Sequence, residues 1–319
     1  MVERMLEKWT GAVNTVTIGA TQDEGGTRKS VCKVGGETTM PFLLEEGAMP
    51  HRPVVAMEIA DVPPEFNEVY KSSLGDVVGN PAAWAAKCET EWGAEALVLR
   101  LMSAHPDGKD AGIDEVQKTV DAVRKATGLP LIVAGCGNVE KDNQILPEIT
   151  ETLKGEKVLF ASATQENYKR LAAACIAGGH SIISESPLDI NICKQVNVLL
   201  GEIDMPTDRV VIYTTNGALG YGFEYAYSII ERTRLAALGG DKTMAMPVIV
   251  FVGSECIRAK EAKAPESEFP HWGADFERAV GWEVTTAVGY LNAGADICVM
   301  FHPEAVRVTK AYIERMTTQ

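Results

Sequence analysis

The sequence predicts an α/β chain folded as a single (β/α)8 TIM barrel with an N-terminal β-hairpin extension. Three observations carry this expectation. Eight short apolar runs recur between residues 54 and 301, and each lacks strict in/out alternation, as parallel strands buried on both faces do. A segment with helical spacing follows each run. No Pro/Ser-rich linker after Pro53 divides the 319 residues, and eight βα units close naturally at a barrel length of about 250 residues.

The elements follow in order. Residues 13–20 and 27–34 are β-prone and flank Thr21-Gln22-Asp23-Glu24-Gly25-Gly26, the composition of a hairpin turn. Pro41, Pro50 and Pro53 then break the chain repeatedly. Residues 1–53 are thus expected to form the hairpin and a connecting segment, with the hairpin plugging the bottom of a barrel made by 54–319. The predicted strands are 54–60, 96–102, 131–135, 157–162, 181–185, 209–214, 247–253 and 296–301. The predicted helices are 81–92, 113–127, 141–154, 165–177, 188–201, 221–238, 274–293 and 303–316. Asp114, Thr164 and Asp189 stand where N-caps are wanted, and Pro81 and Pro303 suit first helical turns. Gly128, Gly178-Gly179, Gly239-Gly240 and Gly294 fall where the helices should stop.

Composition narrows the function. With 44 acidic against 30 basic residues the net charge is −14, which opposes attraction to phosphate backbones or anionic lipid, so neither nucleic acid nor membrane is an expected partner. No apolar run approaches the roughly 18 residues of a spanning helix, and the charged N-terminus lacks the apolar core of a signal peptide; a cytoplasmic location is expected. The seven cysteines are scattered without a Cys-x-x-Cys pair, which argues for reduced, buried thiols over disulfides or cluster ligands.

In a barrel of this kind, sites form where strands end. The strand-end residues are Glu58, Asp61, Arg100, Ser103, His105, Cys136, Asn138, Ser162, Glu185, Ser186, Thr214, Thr215, Asn216, Ser254, Glu255 and His302. None is a lysine, which removes Schiff-base chemistry, and the five histidines are isolated, which argues against a metal hydrolase. His105-Pro106 and His302-Pro303 read equally well as turns before helices. Glu185 is a candidate acid/base or a salt-bridge partner for Arg100. The tract 216–225, Asn-Gly-Ala-Leu-Gly-Tyr-Gly-Phe-Glu-Tyr, combines close backbone approach with flat aromatic area; it reads either as an interface or planar-ligand site, or as a turn before a helix that packs its aromatics inward.

The stretch 217–228, Gly-Ala-Leu-Gly-Tyr-Gly-Phe-Glu-Tyr-Ala-Tyr-Ser, resembles the small (delta) subunit of the corrinoid iron–sulfur protein of acetyl-CoA synthesis. So do 231–238, Met246-Pro247-Val248-Ile249, Gly281-Trp282-Glu283, and 293–306. The resemblance covers the whole chain. It implies a heterodimer with a large subunit that holds a [4Fe–4S] cluster, none being held by this chain, and that carries most of the cobamide site. The cobamide takes a methyl group from methyltetrahydrofolate through a separate methyltransferase and passes it to acetyl-CoA synthase/CO dehydrogenase. In this family the barrel mouth covers the cobamide, and the rim residues expected to face it are Asn138, Glu185, Thr214, Asn216, Gly217, Tyr221 and His302. The segment Ser103-Ala-His-Pro-Asp-Gly108 echoes a cobalamin motif but has Ser103 in place of Asp, so His105 is not expected to ligate cobalt. The competing reading is a pterin-dependent methyltransferase of the same barrel superfamily, with Asp61, Asn138, Glu185 and Asn216 holding the pterin.

Overall fold

The computed structural model describes residues 5–318. Strands β1 (Val16–Ile18) and β2 (Cys32–Val34) form the antiparallel hairpin, with Val16 opposite Val34 and Ile18 opposite Cys32. Eight parallel strands follow: β3 (Val54–Ala60), β4 (Ala96–Arg100), β5 (Leu131–Ala134), β6 (Leu159–Ala163), β7 (Ser181–Glu185), β8 (Val210–Tyr213), β9 (Ile249–Phe251) and β10 (Ile297–Met300). Their order, β8-β7-β6-β5-β4-β3-β10-β9, is a barrel opened out at one seam. That seam, between β8 and β9, is bridged by one parallel pair, Ile212 with Val248.

Alternate residues of each strand serve two cores. Val54, Ala56, Val98, Ile132, Leu159, Ile183, Val211 and Ile297 point into the barrel; Val55, Met57, Leu97, Val133, Ile182 and Cys298 point out against the helices. Both faces are dry, so the runs carry no polar alternation. The hairpin's Val16, Ile18, Cys32 and Val34 join the inner core, and Gly19 N–H donates to the carbonyl of Lys157, just before β6. The hairpin therefore closes the N-terminal end of the barrel, as the sequence predicts. Arg28 fixes it there: the buried guanidinium donates to Glu156 and to the carbonyls of Thr127, Leu129 and Arg124.

The outer helices are α1 (Glu68–Leu74), α2 (Pro81–Thr90), α3 (Ile113–Ala126), α4 (Val139–Thr152), α5 (Tyr168–Gly178), α6 (Ile190–Glu202), α7 (Phe223–Leu238), α8 (Val252–Cys256), α9 (Lys260–Lys263), α10 (Asp275–Ala293) and α11 (Pro303–Thr317). Helices α1, α8 and α9 are absent from the sequence prediction: all three are under eight residues and lie inside loops over the C-terminal end. Asp189 caps α6 as expected, accepting from Asn191 and Ile192 N–H groups. Asp114 instead lies in the first turn of α3, behind the cap Gly112. Thr164 yields its place at α5 to Asn167, whose Oδ1 turns back to accept from the Thr164 N–H at 2.7 Å.

At the barrel's lower end Arg234 of α7 lies between two acids. It donates to Asp296 at 2.8 Å and to the Gly294 carbonyl at 2.9 Å, and stands 3.6 Å from Glu37. All three side chains are at most 3% exposed, so this triad pins the post-hairpin segment to α7 and to the start of β10.

Candidate functional site

The C-terminal ends of the strands open into a cavity of about 280 Å³. The strand-end residues Arg100, Ser162, Glu185, Ser254 and Glu255 all line it, so the topology brings together five side chains from four strand ends, those of β4, β6, β7 and, through α8, β9. Arg100 ends β4 and points across the mouth. Its Nε donates to Glu58 Oε1 at 2.5 Å and Nη2 to Oε2 at 3.3 Å, and its guanidinium lies 5.1 Å from the centre of the Phe251 ring. Burial pulls this group down, but the Glu58 carboxylate outweighs it and holds the guanidinium above its usual value. Arg100 thus pairs with Glu58 on the neighbouring strand, and not with Glu185.

Glu185 ends β7 and receives the Ser162 hydroxyl from the end of β6. Glu255 on α8 is held up by burial against the pull of Arg258, which donates to it at 3.3 Å. Tyr213 packs edge-on against Phe251, with centroids 4.9 Å apart. Burial, with the Glu185 and Glu255 carboxylates, pushes its hydroxyl up, so it stays a neutral donor. Asp142 of α4 accepts from the Cys136 and Gly137 N–H groups and shapes that loop. A Cβ on Gly135 would come 2.3 Å from this carboxylate, which is why glycine stands there. The sequence reading does not single out Asp142, Tyr213, Phe251 or Arg258: two lie inside the predicted runs 209–214 and 247–253, and the others belong to helices or the loops between them.

A second, more apolar cavity of about 500 Å³ adjoins the first and shares Arg100, Ser254 and Arg258 with it. Val62, Pro63, Pro64, Met102, Ile257 and Phe301 line it. A buried network sets the position of Phe301. Glu283 of α10 accepts from the Phe301 N–H at 3.1 Å, the His302 N–H at 3.2 Å and the Tyr70 hydroxyl at 2.6 Å. Burial holds this carboxyl up at about 7 despite the three donors.

The other rim candidates lie elsewhere. Asn138 caps α4, accepting from the Lys141 N–H. Thr214 is 1% exposed. Asn216 spans the barrel seam, its amide donating to the Phe251 carbonyl at 3.0 Å and accepting from the Phe251 N–H at 2.9 Å. It acts as a surrogate ladder rung between β8 and β9. Gly217 is required by packing, since a Cβ would meet the Tyr221 carbonyl at 2.1 Å, and its own carbonyl accepts from the Tyr290 hydroxyl. His302 is buried; it caps α11 through Nδ1 and meets the Ser73 hydroxyl through Nε2 at 2.9 Å. Of the aromatic tract, Phe223 packs inward on Tyr290, while Tyr221 and Tyr225 are exposed. Tyr221 donates to Glu261 and accepts from the Lys260 N–H, tying the tract to α9. Of the seven residues named from the family resemblance, Glu185 is the one that lines the cavity.

Among the described residues no group of three or more His, Cys, Asp or Glu side chains converges as a metal site, and no helix is long and apolar enough to cross a membrane. Solved structures with the same fold include dihydropteroate synthases. One, from Coxiella burnetii in complex with pteroic acid, matches with a TM-score of 0.57 and 13% identity over 88% of this chain and 99% of that one. At that identity the likeness shows the fold. Sequence comparison goes further. The delta subunit of the acetyl-CoA decarbonylase/synthase complex of Archaeoglobus fulgidus is 36% identical over 313 residues, 97% of this chain and 69% of the relative. The delta 1 subunit of Methanosarcina thermophila is 34% identical over 310 residues, 96% of this chain and 71% of the relative. The family model described as CO dehydrogenase/acetyl-CoA synthase delta subunit matches residues 15–312. With an eight-stranded barrel and a match that begins in the hairpin and ends in the last helix, this chain belongs to the CO dehydrogenase/acetyl-CoA synthase delta subunit family.

Proposed function

We propose that this chain is the small subunit of a heterodimeric corrinoid iron–sulfur methyl carrier, whose barrel mouth covers a cobamide anchored mainly by a large subunit. The observation that carries the reading is the mouth itself: a polar cavity and an apolar one joined through Arg100, Ser254 and Arg258. A broad basin, half polar and half apolar, fits a flat macrocycle with amide groups on its edge better than it fits a small anion. The cobamide would supply the cobalt centre that accepts and releases the methyl group. This chain's residues do the rest: Phe301, Ile257 and the 62–64 loop exclude water, and Arg100, Glu185, Tyr213 and Glu255 offer polar contacts. The seven cysteines are separate buried thiols, and the [4Fe–4S] cluster is assigned in this reading to the large subunit. A methyltetrahydrofolate methyltransferase and acetyl-CoA synthase/CO dehydrogenase are the expected exchange partners.

The pterin-dependent methyltransferase is not favoured. Asp61 is taken up by the Ser103 N–H and hydroxyl, Asn138 by its helix cap and Asn216 by the barrel seam. Side chains so engaged are not free to read a pterin's hydrogen-bonding edge. The purified chain alone is therefore expected neither to bind methyltetrahydrofolate in a calorimetric titration nor to demethylate it. Saturable binding by the isolated chain would overturn the capping role.

A further inference from the structure

The polar half of the mouth holds more hydrogen-bonding capacity than its own contacts use. Arg100 spends Nε and Nη2 on Glu58, which leaves Nη1. Glu185 receives the Ser162 hydroxyl on Oε2, which leaves Oε1. Arg258 meets Glu255 through Oε1, which leaves Oε2, and the Tyr213 hydroxyl has no hydrogen-bond partner among the described residues. All four residues line the one cavity. The unspent atoms are two donors and two acceptors, so neither a pure acceptor nor a pure donor satisfies them.

The charges select further. Glu58 neutralises Arg100 and Arg258 faces Glu255, while Glu185 forms no ion pair among the described residues, receives one hydroxyl and feels Arg100 only as a charge at a distance, behind the closer Glu58. A carboxylate or phosphate entering here would meet this unpaired acid. An ammonium group would leave the Arg100 and Tyr213 donors unpaired, at the cost of desolvated polar atoms. A primary carboxamide is neutral and offers one acceptor oxygen and two N–H donors.

Resting on the reading that a cobamide lies across the mouth, we infer that this half of the basin is a carboxamide reader. Arg100 and Tyr213 donate to amide oxygens, Glu185 and Glu255 accept from amide N–H groups, and a carboxylate in the same position is rejected. The mouth is then a specificity filter as well as a lid, distinguishing an intact corrinoid from one whose edge amides have been hydrolysed.

The test uses the heterodimer assembled with cobamide-free large subunit and titrated by visible absorbance. The probes are a cobamide and the set of its monocarboxylic acids, each with one side-chain carboxamide hydrolysed. At pH 8 at least one acid is expected to bind about tenfold or more weakly than the parent, about 1.4 kcal/mol. Glu185→Gln, which keeps an acceptor for Ser162 and removes the charge, should restore most of that loss; Glu255→Gln serves the same arm if the first variant fails to assemble. Every acid binding as tightly as the parent, or a loss that neither substitution restores, overturns the inference and leaves the capping role standing. A parent cobamide bound equally tightly by the large subunit alone overturns the capping role itself.

Discussion

Arg234→Ala is expected to lower the unfolding free energy by about 3–5 kcal/mol, the range found when one partner of a buried ion pair is removed. The guanidinium separates Asp296 from Glu37 in a pocket where no side chain is more than 3% exposed. Without it Asp296 keeps the Val248 N–H, 2.7 Å away, and loses its countercharge. The same triad sets a pH dependence. Burial, and then the neighbouring Asp296 carboxylate, push the Glu37 carboxyl up to about 8. The folded chain therefore holds a proton that the unfolded chain releases above the ordinary carboxylate range. Folding takes up a proton in that window, so stability falls as pH rises from about 4.5 to about 8 and levels off above it. Urea unfolding at several pH values reads both effects. Glu37→Gln should flatten the fall without the large loss of Arg234→Ala, and an Arg234→Ala variant within about 1 kcal/mol of the parent would show that the triad is not under strain from unpaired charge.

Arg100→Ala acts at the other end of the barrel and links stability to function. Glu58 is 2% exposed, and its carboxylate would remain in the mouth without a partner. Arg100 itself is 27% exposed, so the expected loss is smaller than for Arg234, about 2–3 kcal/mol. Arg100→Ala combined with Glu58→Gln should recover much of that stability, because no buried charge is then left alone. Cobamide retention by the heterodimer should fall in both variants, since both lack the donor that faces the basin. Retention restored together with stability in the double variant would show that Arg100 serves the fold and not the bound group. Arg100→Lys should not rescue retention, as a single ammonium cannot hold Glu58 in a fork and still present a donor to the basin.

The barrel was readable because its physics repeats. A strand dry on both faces must be an apolar run, and β3 and β7 match their predicted runs residue for residue. The glycines at 179 and 294 end helices as positive-φ residues do. The loops over the mouth were harder to read. Helix α1 and the excursion from Val252 to Ala274 are short pieces held by tertiary contacts, among them the hydrogen bonds of Arg278 to the carbonyls of Glu261 and Ala264, and such contacts leave no periodic trace. The rim shows the same division. Strand-end position alone placed Arg100, Ser162, Glu185, Ser254 and Glu255 around one cavity. Residue type alone does not separate a local from a ligand-facing role at Asn138, Asn216 and His302, because asparagine and histidine satisfy local backbone groups as readily as they meet a ligand. At His302 the cue is available, since it directly precedes the predicted helix 303–316, where a cap is wanted; at Asn138 it is weaker, because the predicted helix begins at 141 and the observed one at Val139.

The claim on which the rest depends is that the barrel mouth shields a cobamide held by another subunit. Its most direct test is the visible spectrum of the reduced, cobamide-loaded large subunit during controlled exposure to oxygen, with and without this chain. Shielding predicts that the chain slows corrinoid oxidation severalfold and that Arg100→Ala forfeits part of the protection. Equal oxidation rates with and without a stoichiometrically bound chain would contradict the account.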